Sequence, residues 1–332
     1  MSALLQVKGV SRRFVTEPGV IEKLAGWLGA NTATKTVHAV DEVSFEVARG
    51  EVVGLVGESG CGKSTLGRMI AGLLAPSGGE LLYAGRPLSM GADLASRRAR
   101  LRLQMIFQDP MSSLNPRMKV RDIIGEAAVL HGMTTAAERD DYVGTLLEKV
   151  ALDRSYGERY AHQFSGGQRQ RICIARALAV RPDFLICDES VAALDVSIQA
   201  QIINLFQQLR NDLGLTYLFI SHDLGVIQHL ADRVVVMYLG RVVETGPAQA
   251  LFAKPLHPYT QALLEQVPKL HAGKRAFIPI KGEIASPLNP PAGCHFHTRC
   301  PQAGPRCQKE RPAIQLMGEQ TVACHLHLGG TR

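Results

Sequence analysis

The run Gly57-Glu58-Ser59-Gly60-Cys61-Gly62-Lys63-Ser64-Thr65 places three glycines ahead of a lysine and two hydroxyl residues. Glycines at this spacing let successive backbone N–H groups turn inward around a polyphosphate, and a helix that follows adds its positive dipole end. Lys63 supplies a point charge for the β- and γ-phosphates, and Ser64 supplies a hydroxyl ligand for Mg²⁺. The pattern is the P-loop, G-x-x-x-x-G-K-S/T, in the context it requires, with an apolar strand before it and a helix after. Gly57, Ser59, Gly60, Cys61, Gly62 and Thr65 complete the candidate nucleotide-binding set.

A second group closes the run Leu185-Ile186-Cys187-Asp188-Glu189. An apolar strand ending in two acids delivers them to the carboxyl edge of a sheet, where ligands of open α/β sheets bind. Asp188 is placed to hold Mg²⁺ and Glu189 to polarise an attacking water as general base. The third group, Phe164-Ser165-Gly166-Gly167-Gln168, opens a helical run that continues to Leu178. A helix N-terminus with an exposed Ser and two glycines is a second phosphate cradle. One active site does not need two such cradles at separate places in one chain.

The elements that carry these groups follow from periodicity. Residues 4–15 and 37–56 read as strands around a Gly- and Ala-rich insertion, and the stretch 51–56 is a short buried strand leading into the P-loop, with a helix from Thr65 to about Leu74. Residues 183–187 and 216–220 are further buried strands. The helix between them is set by Ile198, Ile202, Leu205, Leu209 and Leu213, which lie on one face of a 3.6-residue period. Residues 232–244, with Leu239-Gly240 at the centre, read as a β-hairpin. Strands alternating with helices predict an α/β fold with a mostly parallel sheet covered on both sides. From about Pro255 the texture changes. Ten of the 17 prolines lie there and periodicity is poor, which predicts a loop-rich appendage.

Composition narrows the function classes. No apolar run approaches the roughly 18–20 residues needed to span a bilayer, and the start of the chain lacks the pattern of a signal peptide. The expected location is therefore the cytosol. Of the formal charge of +7, the segment 250–332 carries +6, from ten Lys/Arg against four acids, so the excess belongs to a tail and not to a nucleic-acid-binding face.

The signature-like segment 164–178 resembles the ABC family, with Phe164 where Leu is more usual, and the other motifs fall in that family's order. The resemblance implies a P-loop NTPase of the ABC nucleotide-binding type with an inserted helical lobe over about 109–180, forming an ATPase domain over 1–250. It implies ATP and Mg²⁺ as ligands, and Mg²⁺ held by Ser64, Gln108 and Asp188. Gln108 matches the Q-loop, Ala192-Ala193-Leu194-Asp195 the D-loop, His222 the switch histidine, and Phe14 the aromatic that stacks on adenine. Glu189, His222 and Gln108 would be the catalytic set. Ser165, Gly166, Gly167, Gln168 and Asp195 would serve a nucleotide held by a second subunit paired head to tail. Ser190 stands where a proline is usual and Ala192 where a Ser is common.

Three further segments are similar to ATP-binding subunits of dipeptide and oligopeptide importers, a group that includes nickel-type systems. They are 108–117 (QDPMSSLNPR), 195–201 (DVSIQAQ) and 257–264 (HPYTQALL). The first is most like the second, "F"-type ATPase of a pair. The resemblance implies a paralogous ATPase partner, two transmembrane permease subunits, an external solute-binding protein and a peripheral position on the cytoplasmic side of the membrane. Peptide and protein transport are the functional headings attached to it. Residues 110–120 would face the permeases. The appendage, 251–332, holds Cys294, Cys300, Cys307 and Cys324, with four histidines interleaved. Clustered cysteines in a cytosolic chain argue for metal over disulfides. The family has members with a 4Fe–4S iron–sulfur cluster on such a tail, zinc is the alternative, and the spacing fits neither the short zinc pattern nor the ferredoxin run. A soluble ABC-type ATPase acting on ribosomes or DNA is the rival reading, but only one cassette is present and there is no sustained heptad run. A non-catalytic module conflicts with Lys63, Asp188, Glu189 and His222 all being present.

Overall fold

A computed structural model describes residues 3–16, 35–88, 94–192, 194–266 and 282–327, with backbone only for 94–97. The Gly- and Ala-rich insertion after the first strand, Ala193 of the D-loop segment and part of the basic tail lie outside these residues.

Strand β3 (Val52–Val56) is apolar throughout because both of its faces are covered. Val53 and Leu55 enter one core with Phe184, Ile186, Leu218 and Ile220. Val52 and Val56 enter the other with Leu185, Cys187, Tyr217 and Phe219. This two-residue alternation between two buried faces is the mark of a parallel sheet sandwiched between layers. Strands β6 (Leu103–Ile106), β7 (Phe184–Asp188), β8 (Thr216–Ser221), β3 and β9 (Arg233–Tyr238) are parallel neighbours in that order. β9 turns back through Leu239, at a φ of 41°, into the antiparallel β10 (Arg241–Pro247), the hairpin the sequence predicts.

Helix α1 (Lys63–Ile70) lies under this sheet, its Leu66, Met69 and Ile70 sharing the core with Val53 and Leu55. On its other side lies a smaller antiparallel sheet. That sheet contains β1 (Ala3–Thr16), β2 (Lys35–Ala48), β4 (Gly78–Tyr83) and β5 (Arg86–Pro87), ordered β2-β1-β4-β5. The helix begins two residues before the expected start and ends sooner, at the turn through Gly72. α2 (Leu94–Arg102) leads into β6.

The inserted lobe is helical: α3 (Pro110–Ser113), α4 (Val120–Leu130), α5 (Arg139–Lys149) and α6 (Gly166–Leu178). Ile123, Ile124, Val143, Leu146, Leu147 and Ile172 pack together and continue into the main core. The long helix α7 (Val196–Leu213) buries Ile202, Leu205, Phe206 and Leu209. Its last residue, Leu213, is exposed, and the helix ends at Gly214 in a left-handed conformation. Then come α8 (Leu224–Leu230), α9 (Ala248–Ala253), α10 (Pro258–Glu265) and α11 (Pro305–Lys309).

The tail contributes more than loops. β12 (Gln320–Val322) pairs with β10, Glu244 opposite Val322, and β11 (Gln315–Met317) pairs with β12. Among the described residues the main sheet therefore has eight strands, two of them from a segment whose texture predicts none. Strands of three residues are too short for alternation to register.

Candidate functional site

The P-loop leaves β3 at Gly57, whose φ is 154°, and enters α1 at Gly62, whose φ is 103°. A Cβ at Gly57 would collide with the carbonyl of Met237, and one at Gly62 with that of Ala39. Only glycine fits at these two positions, because the loop is pressed against β9 on one side and β2 on the other. Lys63 is 4% exposed, and its ammonium donates to the carbonyls of Gly57 at 2.7 Å and Glu58 at 2.9 Å.

Ser64 Oγ donates to Asp188 Oδ1 at 2.8 Å. Burial is the main cause raising the Asp188 pKa, opposed by the Ser64 hydrogen bond, with the Glu189 charge adding to it and Arg68 and Lys63 opposing it. A buried carboxylate beside a hydroxyl fits a small cation that prefers oxygen ligands. Of the three expected Mg²⁺ ligands, Ser64 and Asp188 meet. Gln108 instead donates from Nε2 to Glu189 Oε2 at 2.8 Å.

Glu189 follows the last residue of β7 and takes a left-handed backbone, φ 46°, uncommon for a residue with a side chain. Its N–H donates to the Ile220 carbonyl of β8 at 3.0 Å, which holds the turn. The second carboxylate oxygen, Oε1, lies 3.2 Å from His222 Nδ1. Glu189 is 13% exposed and His222 55%, so the histidine forms the outer wall. The catalytic trio expected from the sequence thus meets at Glu189, which is hydrogen-bonded to Gln108 and 3.2 Å from His222, at the carboxyl ends of parallel strands. Asp223 anchors the next element by capping α8, accepting from Gly225 and Val226.

Phe14 stands near the end of β1, opposite Val37 and 37% exposed, with the Arg12 guanidinium 4.7 Å from its ring centroid. Ser165 caps α6: its Oγ accepts from Gln168 N–H, while the Gln168 side chain accepts from Ser165 N–H at 3.0 Å. Gly166 and Gly167 form the first turn, Gly167 lying against Ile198. Phe164 is buried against Tyr156, ring centroids 5.4 Å apart, so the Leu-to-Phe departure falls on a packing position. Among the described residues no hydrogen bond joins 165–168 to 57–65. Asp195 is exposed and precedes α7 without capping it through its side chain. Ser190 is buried and Ala192 exposed.

Comparison with known proteins agrees with this geometry. Residues 40–192 match the family model for ABC transporters. The oligopeptide transport ATP-binding protein AppF of Bacillus subtilis (strain 168) is 48% identical over 98% of this chain and 97% of its own length. The chain belongs to the ABC transporter family. Residues 243–307 match the model for the C-terminal region of oligopeptide/dipeptide transporters. A putative oligopeptide transport ATP-binding protein, YkfD of the same organism, is 50% identical over 88% of this chain and 91% of its own. Among solved structures, CbiO1 of Clostridium perfringens, part of the ABC transporter complex CbiONQ, is similar at TM-score 0.63 and 27% identity, covering 76% of this chain and 92% of that one. The ATP-binding cassette MJ0796, a dimer bound to ADP and Pi, has the same fold at TM-score 0.61 and 24% identity, covering 74% of this chain and 98% of that one. This protein is an ABC-type ATPase, for which ATP and Mg²⁺ are the implied ligands.

Two expectations for this ABC protein are corrected. Among the described residues no three of His, Cys, Asp and Glu are grouped so that they could hold a metal ion, so neither the iron–sulfur cluster nor zinc on Cys294, Cys300, Cys307 and Cys324 stands. All four are free cysteines. Burial, first among the causes, raises the pKa of Cys294, Cys300 and Cys324, the last to about 11. Their backbones are used structurally: Cys294 N–H donates to the Cys307 carbonyl at 2.9 Å. The heading of protein transport falls too, since the matched C-terminal model and the relatives concern peptides.

Sequence reasoning passed over Glu58, an unspecified position of the P-loop. Its N–H donates to Tyr259 Oη at 2.7 Å, and Arg299 grips its carboxylate at 2.6 and 3.0 Å. The HPYT run at 257–260 is legible as a family mark, but nothing local connects it to a loop 201 residues earlier.

Proposed function

We propose that this chain hydrolyses ATP to power the import of dipeptides or oligopeptides through an ABC transporter. The observation that carries the reading is the Glu189 carboxylate held between Gln108 and His222, beside the Ser64–Asp188 pair. Glu189 orients and deprotonates the attacking water, Gln108 fixes one carboxylate oxygen, and His222 approaches the γ-phosphate from the open side. Lys63 and the P-loop N–H groups within 57–65, other than that of Glu58, bind the β- and γ-phosphates, and Phe14 stacks on adenine, backed by Arg12. Ser64 and Asp188 would hold Mg²⁺, with Gln108 beside them on Glu189, and the ion would supply positive charge to neutralise the phosphates.

The two cradles belong to two ATP sites. Ser165, Gly166, Gly167, Gln168 and Asp195 close on the nucleotide of a partner ATPase, a paralogue, which offers the same loop in return. Support comes from the absence, among described residues, of any bond between the signature turn and the P-loop. The catalytic domain spans 1–250, with the helical lobe over 109–180 and the transporter-type C-terminal region over 251–332. The lobe surface at 110–120 faces two permease subunits, and an external solute-binding protein supplies cargo. Among the described residues no helix is long and apolar enough to cross a membrane. In this reading the chain sits peripherally on the cytoplasmic side, held by these partners, and works without nucleic acid. The names of the curated relatives support the peptide cargo class. Reconstitution with its permeases and binding protein tests the reading: peptide uptake should require ATP and be lost in Glu189→Gln. Uptake that persists in that variant, or peptide-independent activity on ribosomes or DNA, would overturn it.

A further inference from the structure

Glu58 puts a carboxylate inside a loop built to receive polyphosphate, where a free negative charge would oppose the ligand. The structure turns that charge away. Both Glu58 oxygens are taken by the Arg299 fork, Nη1 to Oε2 at 2.6 Å and Nη2 to Oε1 at 3.0 Å, and the Arg299 side chain is 4% exposed. Bidentate pairing of this kind fixes direction as well as charge. The Glu58 N–H is held separately by Tyr259 Oη at 2.7 Å, and the Glu58 carbonyl receives Lys63 Nζ at 2.9 Å. Every polar group of this one residue is thus assigned, two of the three to the C-terminal region.

The holders are themselves rigid. Tyr259, Tyr238 and Phe296 form a buried ring cluster with centroids 4.7, 5.2 and 5.3 Å apart. Arg299 Nη1 lies 3.5 Å from Tyr238 Oη. The start of α10 is tied to the main sheet, because buried Glu244 of β10 accepts from the N–H groups of Leu256 at 2.8 Å and His257 at 2.9 Å. A continuous path of hydrogen bonds and packed rings therefore runs from β10, through α10 and the segment 294–300, to the P-loop.

We propose that Tyr259 and Arg299 are positioning residues of the ATP site, through which the C-terminal region sets the shape and charge of the P-loop. The proposal rests on the ATP-site reading above. Arg299 neutralises and aims the Glu58 carboxylate, and Tyr259 orients the peptide next to the carbonyl that holds Lys63. Loss of either weakens nucleotide binding without touching Glu189.

The test measures binding of a fluorescent ATP analogue, and ATPase KM and kcat, on the full-length chain. Arg299→Met should weaken ATP binding about tenfold, within the range usual for coupling between sites. Glu58→Gln introduced on top should restore most of it, since the uncompensated charge is then gone. Arg299→Lys, which keeps the charge but loses the fork, and Tyr259→Phe, which removes the acceptor, should each raise KM more than they lower kcat. If Arg299→Met does not fold, these two milder variants carry the test. Unchanged affinity in folded Arg299→Met, or equal losses with and without Glu58→Gln, would overturn the proposal, as would wild-type KM in both milder variants. Lys63→Ala separates the two ideas: retained binding there refutes the ATP site itself, while lost binding there with no effect at 259 and 299 refutes only the tail's role.

Discussion

Ser64 Oγ donates to Asp188 Oδ1 across 2.8 Å, joining the second residue of α1 to the last residue of β7, 124 positions away in the chain. The pair exists because β3 and β7 end at the same edge of a parallel sheet, with β8 between them. It keeps an acid buried, and the raised Asp188 pKa records the cost of ionising it there.

Asp188→Asn should therefore raise Tm in Mg²⁺-free protein at neutral pH while abolishing Mg²⁺-dependent hydrolysis. The folded pKa lies above the ordinary 3.8, so the penalty is fully present above the folded pKa and fades as pH falls toward 3.8. Thermal scans in chelator from about pH 4 to 8 should show the gain shrinking in acid. A variant less stable than wild type at neutral pH would contradict this account.

Glu189→Gln should cut kcat by about 10²- to 10⁴-fold, the usual worth of a positioned general base. The amide keeps the shape and an acceptor for Gln108, so ATP binding should stay within about twofold. Turnover close to wild type would remove Glu189 from the water-activating role.

Ser165→Ala should damage hydrolysis at the partner's P-loop and spare its own. Loss of the α6 cap costs about 1 kcal/mol at most sites of this kind, small enough for the helix to persist. Assemblies in which only one of the two P-loops is intact allow the sites to be read separately. Loss confined to the mutated chain's own P-loop is incompatible with shared sites.

Acid should destabilise the C-terminal region early. Burial lowers the pKa of His257 to about 3 and of His295 to about 4, against an ordinary 6.5. Between 6.5 and those values the unfolded chain binds protons that the folded chain refuses. Each histidine then removes about 1.4 kcal/mol of stability per pH unit, and none above pH 6.5. Urea denaturation at about pH 7 and 5 should show this loss. His257→Gln should flatten the slope by one histidine's share even if it lowers stability overall. A slope that the substitution leaves unchanged would show that His257 protonates freely in the fold.

The sequence by itself determined the groups whose chemistry is local. A P-loop is legible because glycine, lysine and serine must follow one another closely to wrap a phosphate. Glu189 is legible because an apolar strand ending in acids points to one edge of a sheet. Buried strands such as 52–56 and 216–221, and the helix carrying Ile202, Leu205 and Leu209, announce themselves by composition and period. Family likeness named Gln108 and His222, and the structure closes both onto Glu189. What only the tertiary structure decided are the relations across the chain. β11 and β12 become strands because β10 offers an open edge, not because three residues have any preference of their own. The tail cysteines suggest a metal by their clustering and by family likeness, yet their placement decides otherwise. The tie from Glu58 to Tyr259 and Arg299 has no local signature, since each residue is ordinary where it stands. Packing α10 and the segment 294–300 against β9 brings them within hydrogen-bond reach, and long-range packing is the information a linear pattern does not carry.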